Sequence, residues 1–286
     1  MGLKPLTLLI TGSTGFVGSH LIRQLNALGH HSIPVTRTHA NPHDLEAMIQ
    51  SNSIDGIIHL ASHYVFDHGN ADQIPTLIAS NIELPTLLLD IASRHKIKWF
   101  INTGTFLQYY DGLAYNPVNL YAATKQAFET MMTYYTKTSS LQCTTIVLHN
   151  TFGPEDTRPK LFNLWAESAR TGKRLTMSPG FQWMDMNYID NVVDAYVALI
   201  TLLETHSTDI TDQIFTVRAE KRVTLKALAQ LFSDVTGLTP SIEWGASPYR
   251  DRETMIPWEA GIVVPGWTPR VSLEEGIRRT FGERKA

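Results

Sequence analysis

The sequence predicts an α/β protein, a doubly wound parallel sheet carrying a smaller C-terminal substrate-binding lobe. Three observations predict it. A strand-length apolar run, Leu6-Thr7-Leu8-Leu9-Ile10, is followed at once by glycines at positions 12, 15 and 18. Strand-like and helix-like segments then alternate as far as Leu148, and such alternation implies right-handed crossovers between parallel strands. From Thr151 the pattern breaks up around Gly153-Pro154, Arg158-Pro159 and Pro179-Gly180, where a second lobe is expected to begin.

The elements follow from periodicity and punctuation. Phe16 to Leu28 is periodic and stops at Gly29, a helix with a glycine end. A strand is expected at Ser32–Thr36, a helix near Asp44–Gln50, and a strand at Gly56–Leu60. Next come a helix near Ile74–His95, a strand at Trp99–Asn102, a helix near Leu120–Thr138 and a strand at Thr144–Leu148. Asp190–Leu203 reads as a helix returning to the first domain and Val223–Thr236 as one in the lobe. The predicted domains are therefore 1–152 with 187–204 returning, and 153–186 with 205–286.

Composition narrows the function classes. The chain has 286 residues, 43% of them hydrophobic, and a formal charge of −3, which leaves no basic excess to hold nucleic acid or an anionic membrane. Leu6–Ile10 is too short for the apolar part of a signal peptide, and no later stretch reads as about 18 apolar residues. A cytoplasmic protein is expected. Cys143, the single cysteine, falls in an apolar strand and reads as core. Neither a disulfide nor a cysteine metal site is available, and His59, His63 and His68 lack the HExxH spacing of zinc sites, so no metal is expected. Met131-Met132 and Tyr134-Tyr135 are expected to pack against the face of the Leu120–Thr138 helix.

Two features carry chemistry. Gly12, Gly15 and Gly18, between a strand and a helix, allow backbone to approach a pyrophosphate while the helix N-terminus offers unpaired amides to it. The strand at Ser32–Thr36 ends in Val35-Thr36-Arg37-Thr38 with no acidic residue for a ribose 2′-hydroxyl, and arginine suits a 2′-phosphate, so Arg37 points to NADP over NAD. Tyr121 and Lys125, four apart, share one helix face. A free tyrosine has a pKa of about 10, and a neighbouring ammonium favours its phenolate. Tyr121 is thereby a candidate general acid or base.

These motifs, with His59-Leu60-Ala61-Ser62 after a strand, Asn150-Thr151-Phe152-Gly153-Pro154 and Gly266-Trp267-Thr268-Pro269, resemble the extended short-chain dehydrogenase/reductases, the nucleotide-sugar epimerase, dehydratase and reductase family. The resemblance implies a Rossmann sheet binding the dinucleotide through Gly12, Ser13, Thr14, Gly15, Phe16, Val17 and Gly18. It adds Leu60, Ala61, Ser62, Asn81, Thr103, Tyr121, Lys125 and Asn150 to the cofactor site. It implies a triad of Thr105, Tyr121 and Lys125, with Thr103 as the fallback for Thr105 and Lys125 also binding the nicotinamide ribose. For substrate it points to Thr105 and Asn150, and the chemistry of the lobe to Arg158, Lys160, Arg218 and Arg250 as holders of a nucleoside diphosphate. Met184-Asp185 departs from the family's Arg-Asp, which removes a usual phosphate contact.

Reaction type follows from the next two residues. Dehydratases of the family carry Asp-Glu directly after the threonine, where this chain has Phe106-Leu107, and neither can move a proton. The trimmed layout resembles the 4-keto-6-deoxysugar reductases, and Gly153–Leu161 looks like those that make 3,6-dideoxyhexoses such as CDP-abequose. The expected activity is NADPH-dependent reduction of a nucleotide-linked 4-keto-deoxyhexose. An epimerase that retains its cofactor is the alternative within the fold, and a silent NADP sensor the alternative outside enzymes. The resemblance also implies a homodimer through the helices near Ile74–His95 and Leu120–Thr138.

Overall fold

The computed structural model describes residues 4–36, 41–65, 71–205 and 210–282. Its first half is β1 (Thr7–Thr11), α1 (Phe16–Ala27), β2 (His31–Val35), α2 (Pro42–Ser51), β3 (Gly56–His59), α3 (Gln73–Ile78), a π-helical turn (Ala79–Glu83), α4 (Leu84–Arg94), β4 (Trp99–Thr105), α5 (Leu120–Thr138) and β5 (Gln142–Leu148). Then come β6 (Asn150–Phe152), α6 (Leu161–Thr171), β7 (Leu175–Met177), β8 (Trp183–Met184), β9 (Met186–Tyr188), α7 (Ile189–Thr205), β10 (Ile214–Val217), β11 (Val223–Thr224), α8 (Leu225–Thr236), β12 (Ile242–Trp244), β13 (Ile262–Val263) and α9 (Leu273–Phe281).

Seven strands form one sheet in the order β13-β10-β5-β4-β3-β1-β2, and every pairing in it is parallel. Because β1 pairs with both β2 and β3, the chain winds outward in both directions from β1, and the crevice at the strands' C-terminal ends is where such sheets take ligands. Burial on both faces explains why the strands read as continuous apolar runs. Leu8 and Ile10 belong to the core shared with α1 and α7, whereas Leu9 faces the core with α2, α4 and α5. Cys143 is fully buried in that second core. The boundary expected at residue 205 does not describe the sheet: β10 and β13, from the segment assigned to the lobe, form its edge. Neither announced itself, since β13 has two residues and β10 only four.

The helix expected near Ile74–His95 is broken by the π turn at Ala79–Glu83. Pro85, in the first turn of α4, has no amide for an i−4 bond, and this loosens the ladder there. By length and composition the 22-residue helix Gln73–Arg94, whose most apolar 18-residue stretch has a mean hydropathy of 1.3, is long and apolar enough to cross a membrane. It carries exposed Ile74 and Ile78. On α5, Met132 packs into the core and Tyr135 lies half-buried against it. Met131 and Tyr134 instead face outward, 41% and 63% exposed, contrary to the packing expected of all four.

The C-terminal lobe holds three two-stranded pairings, β8 with β11, β7 with β12, and β6 with β9. Its buried Asp185 accepts from Arg222 Nε at 2.8 Å, the Ala219 amide at 2.9 Å and Asn187 at 2.8 Å. Removing one partner of such a buried pair costs about 3–5 kcal/mol, so this cluster ties β9 to the loop after β10.

Candidate active site

Gly12 turns the chain out of β1 with φ +68°, and a Cβ there would sit 2.6 Å from the Ala61 amide nitrogen. At Gly18 a Cβ would lie 2.2 Å from the Gly12 carbonyl oxygen. The two glycines thus bring α1 against the turn. Gly15 caps α1 without a side-chain acceptor, and the first turn has no acidic residue, so unsatisfied amides and the positive helix end remain for an anion. Thr11 Oγ1 accepts from the Leu60 and Ala61 amides at 3.2 and 3.1 Å. The same hydroxyl lies in a hydrogen bond with His59 Nδ1 at 2.8 Å, which makes His59 a brace for the turn.

A cleft of about 1520 Å³ runs from this turn to the lobe. Gly12, Thr14, Gly15, Phe16, Val17, Gly18, Leu60, Ala61 and Ser62 line one end, Thr103, Thr105, Tyr121 and Asn150 the middle, and Arg158, Lys160 and Arg250 the lobe side. Its size, its glycine cradle and its uncapped helix end fit a dinucleotide with a further ligand. Arg37 and His68 lie outside the described residues.

β4 delivers two threonines, and alternation along a strand puts Thr103 and Thr105 on one face. They are not equivalent. The Thr103 hydroxyl is 2.6 Å from the Tyr196 hydroxyl of α7, so it is engaged within the protein. Thr105 caps a short 3₁₀ turn, Phe106–Gln108, accepting from the Leu107 amide at 3.4 Å, while Gln108 accepts from the Thr105 amide at 2.8 Å. Its O–H therefore still has a proton to donate toward the cleft. In the same turn Phe106 and Leu107 both line the cleft, Leu107 being the more buried of the two.

Asn119 caps α5 by accepting from the Ala122 amide at 2.9 Å, a cap worth about 1 kcal/mol, and it fixes Tyr121 in the first turn. Tyr121 is 9% exposed and meets Tyr64 edge to face at 4.9 Å. Lys125, one turn on, is 2% exposed and lies behind the cleft lining. The expectation that the ammonium lowers the phenol is not met: burial pushes Tyr121 up to about 12, against a hydrogen bond with Ser62 that pulls it down. Burial also takes Lys125 down to about 8, with Glu129 opposing. Desolvation is the largest influence on each of the two groups.

Several residues assigned from sequence sit elsewhere. Asn81, in the π turn, is fully buried; it accepts from the His63 amide at 2.7 Å and donates to the His63 carbonyl at 3.0 Å and Thr124 at 2.9 Å. Asn81 thus pins the loop bearing Leu60–Ser62 to α5 and is not part of the cleft lining. Ser13 and Arg218 are also outside the lining, and Arg218 donates to the Glu259 carbonyl at 2.7 Å. Arg158 reaches the cleft with its charge matched by Asp156 at 2.6 and 2.7 Å and its guanidinium over Phe16 at 4.7 Å. Sequence reasoning passed over Arg252, which lines the cleft and stacks on Tyr110 at 4.3 Å. It also missed His149 and Trp183 in the lining.

The comparisons agree with this architecture. The family model described as the NAD dependent epimerase/dehydratase family matches residues 8–211. The chain is similar to a CDP-abequose synthase of Salmonella muenchen, 27% identical across 97% of this chain and 98% of that protein. A CDP-abequose synthase of Yersinia pseudotuberculosis is 23% identical across 87% and 91%. Among solved structures, a UDP-glucuronic acid 4-epimerase from Bacillus cereus, in complex with UDP-glucuronic acid and NAD, superposes with a TM-score of 0.84 at 20% identity over 96% of this chain and 98% of that one. A UDP-glucose 4-epimerase from Thermotoga maritima, with UDP-glucose, gives 0.80 at 20% identity over 96% and 97%; at such identity these likenesses speak for the fold. With the family model covering most of its length and the glycine cradle and Tyr-Lys helix in place, the chain belongs to the NAD dependent epimerase/dehydratase family and is an NAD(P)-dependent enzyme.

Proposed function

We propose that this enzyme reduces the 4-keto group of a nucleotide-linked deoxyhexose with NADPH. The observation that carries the reading is Phe106-Leu107 directly after Thr105: the cleft has hydroxyls at Thr105 and Tyr121 but no carboxylate at the two positions that serve elimination in the family's dehydratases. The CDP-abequose synthases, matched over nearly their full length, support the substrate class.

NADPH, when bound, supplies a hydride to the keto carbon. Tyr121 is protonated at neutral pH, as a phenol ordinarily is and as burial, which raises it to about 12, keeps it, so it can donate a proton to the oxygen as negative charge grows there. The Thr105 hydroxyl orients the same oxygen and stabilises its charge. Lys125 holds positive charge behind the tyrosine and would bind the nicotinamide ribose. Lys160, Arg250 and Asn150 would hold the diphosphate, with Arg252 beside them. The absence of a carboxylate in Val35-Thr36-Arg37-Thr38 supports NADPH over NADH. The exposed apolar residues Ile74, Ile78, Met131 and Tyr134 support pairing with a second copy through these helices.

Three outcomes separate the readings when the protein is given NADPH and a CDP-linked 4-keto-6-deoxyhexose. Net NADPH consumption marks the reductase, isomerisation without consumption the epimerase, and neither outcome a sensor. Formation of a 4-keto-6-deoxy sugar from an intact nucleotide hexose would overturn the argument from Phe106 and Leu107.

A further inference from the structure

The turn that carries Thr105 is tied to the helix that carries Tyr121 and Lys125 through a chain of three side chains. Gln108, which ends the 3₁₀ turn Phe106–Gln108, is fully buried. Its Oε1 accepts from the Thr105 amide at 2.8 Å, and its Nε2 donates to Gln126 Oε1 at 3.3 Å. Gln126 Nε2 in turn donates to Glu129 Oε2 at 3.1 Å. Gln126 and Glu129 both stand on α5, the first directly after Lys125 and the second one turn beyond it. Gly104 leaves room for the carboxamide, since a Cβ there would lie 3.0 Å from Gln108 Oε1.

The direction of this chain is fixed from its ends. A backbone amide can only donate, so Gln108 must give it the carboxamide oxygen, and its –NH₂ is then turned to Gln126. Gln126 must accept there and donate onward, and Glu129 closes the chain by accepting. The Thr105 hydroxyl stands one bond from the Cα that Gln108 helps to hold, and the β-branched side chain is stiff at χ1. Fixing the backbone at Thr105 therefore fixes its hydroxyl.

We propose that Gln108 is a positioning residue: by binding the backbone of Thr105 to α5 through Gln126 and Glu129, it sets where the Thr105 hydroxyl stands against the Tyr121 phenol. This rests on the keto-reduction reading, in which the two hydroxyls serve one oxygen. Gln108 is outside the cleft lining and acts through Thr105, with no contact of its own to substrate or cofactor.

The test measures NADPH turnover with a CDP-linked 4-keto-6-deoxyhexose, and NADP affinity by titration, for Gln108→Leu, Thr105→Val and the two combined. Gln108→Leu removes the polar atoms at similar size; it should lower kcat about tenfold, because small displacements at a reacting centre are costly, and keep NADP affinity within about twofold. Thr105→Val should cost about tenfold in the unaltered protein and less than about threefold in Gln108→Leu, since a hydroxyl already out of place has little left to lose. Additive losses, or an unchanged kcat in Gln108→Leu, would overturn the assignment. Should Gln108→Leu fail to fold, an exchange of the chain's ends decides. Gln108→Glu still accepts from the Thr105 amide but sets an oxygen against Gln126 Oε1, and turning Gln126 over sets its oxygen against Glu129. Adding Glu129→Gln supplies a donor there, so the chain closes in reverse and kcat should rise above that of Gln108→Glu. An exchange no faster than Gln108→Glu overturns the proposal. If the unaltered protein consumes no NADPH with this substrate, the keto-reduction reading fails and takes the inference with it. Normal turnover indifferent to Gln108 removes only the inference.

Discussion

Raising the pH should weaken capture of NADPH through Lys125, not through Tyr121. The folded protein holds Lys125 at about 8 and Tyr121 at about 12, both by burial. The lysine is charged below its pKa and loses that charge as pH rises through it. Between pH 7 and 9 the charged fraction falls from roughly nine-tenths to one-tenth, while about a thousandth of Tyr121 ionises. If the ammonium is needed to seat the cofactor, kcat/KM for NADPH, which reports groups of the free enzyme, should fall about tenfold over that range. Lys125→Arg keeps the charge at all these pH values and should move the descending limb out of range, even if its absolute rate is lower. Lys125→Met should have no limb and a low rate throughout. A limb near pH 8 that persists in Lys125→Arg would refute the assignment.

Tyr121→Phe retains the ring packed on Tyr64 and removes the proton, so turnover should drop by roughly 10² to 10⁴ with NADPH affinity nearly unchanged; single-turnover kinetics and a titration read the two effects apart. Gly18→Ala places a Cβ 2.2 Å from the Gly12 carbonyl oxygen, and because that neighbour is backbone the turn itself must move. A stability loss of about 1–3 kcal/mol and at least tenfold weaker NADPH binding are expected, measured by denaturant titration and fluorescence. Arg37→Ala should weaken NADPH more than NADH. Equal losses for both cofactors would remove Arg37 from the ribose pocket.

The legible part of this protein is the part whose signals are long or obligatory. The helix at Leu120–Thr138 is bounded in sequence as it is in the structure, because nineteen residues carry several turns of periodicity and Asn119 supplies the cap. Gly12 and Gly18 were readable because no other residue tolerates their surroundings. In the lobe the helix expected at Val223–Thr236 is present as α8, but the strands were not readable, since they have two or three residues, too few to show alternation, and their partners lie far along the chain. α9 is amphipathic with few apolar residues and went unrecognised. In the site, the sequence pointed to Arg218 and not to Arg252, whereas the tertiary arrangement sends Arg218 to the Glu259 carbonyl and Arg252 to the cleft. His149 follows an apolar strand with no spacing to mark it. The Tyr-Lys spacing revealed the pair, but not that burial would raise the phenol and lower the ammonium.

The central claim is that hydride ends on the sugar. Supplying NADPH deuterated at the nicotinamide C4 hydrogen that is transferred, together with a CDP-linked 4-keto-6-deoxyhexose, and locating the label by NMR, tests it most directly. The account predicts deuterium at C4 of the product, one label for each NADPH consumed, and loss of the transfer in Tyr121→Phe. An isomerised sugar carrying no label, with the NADPH intact, would contradict it.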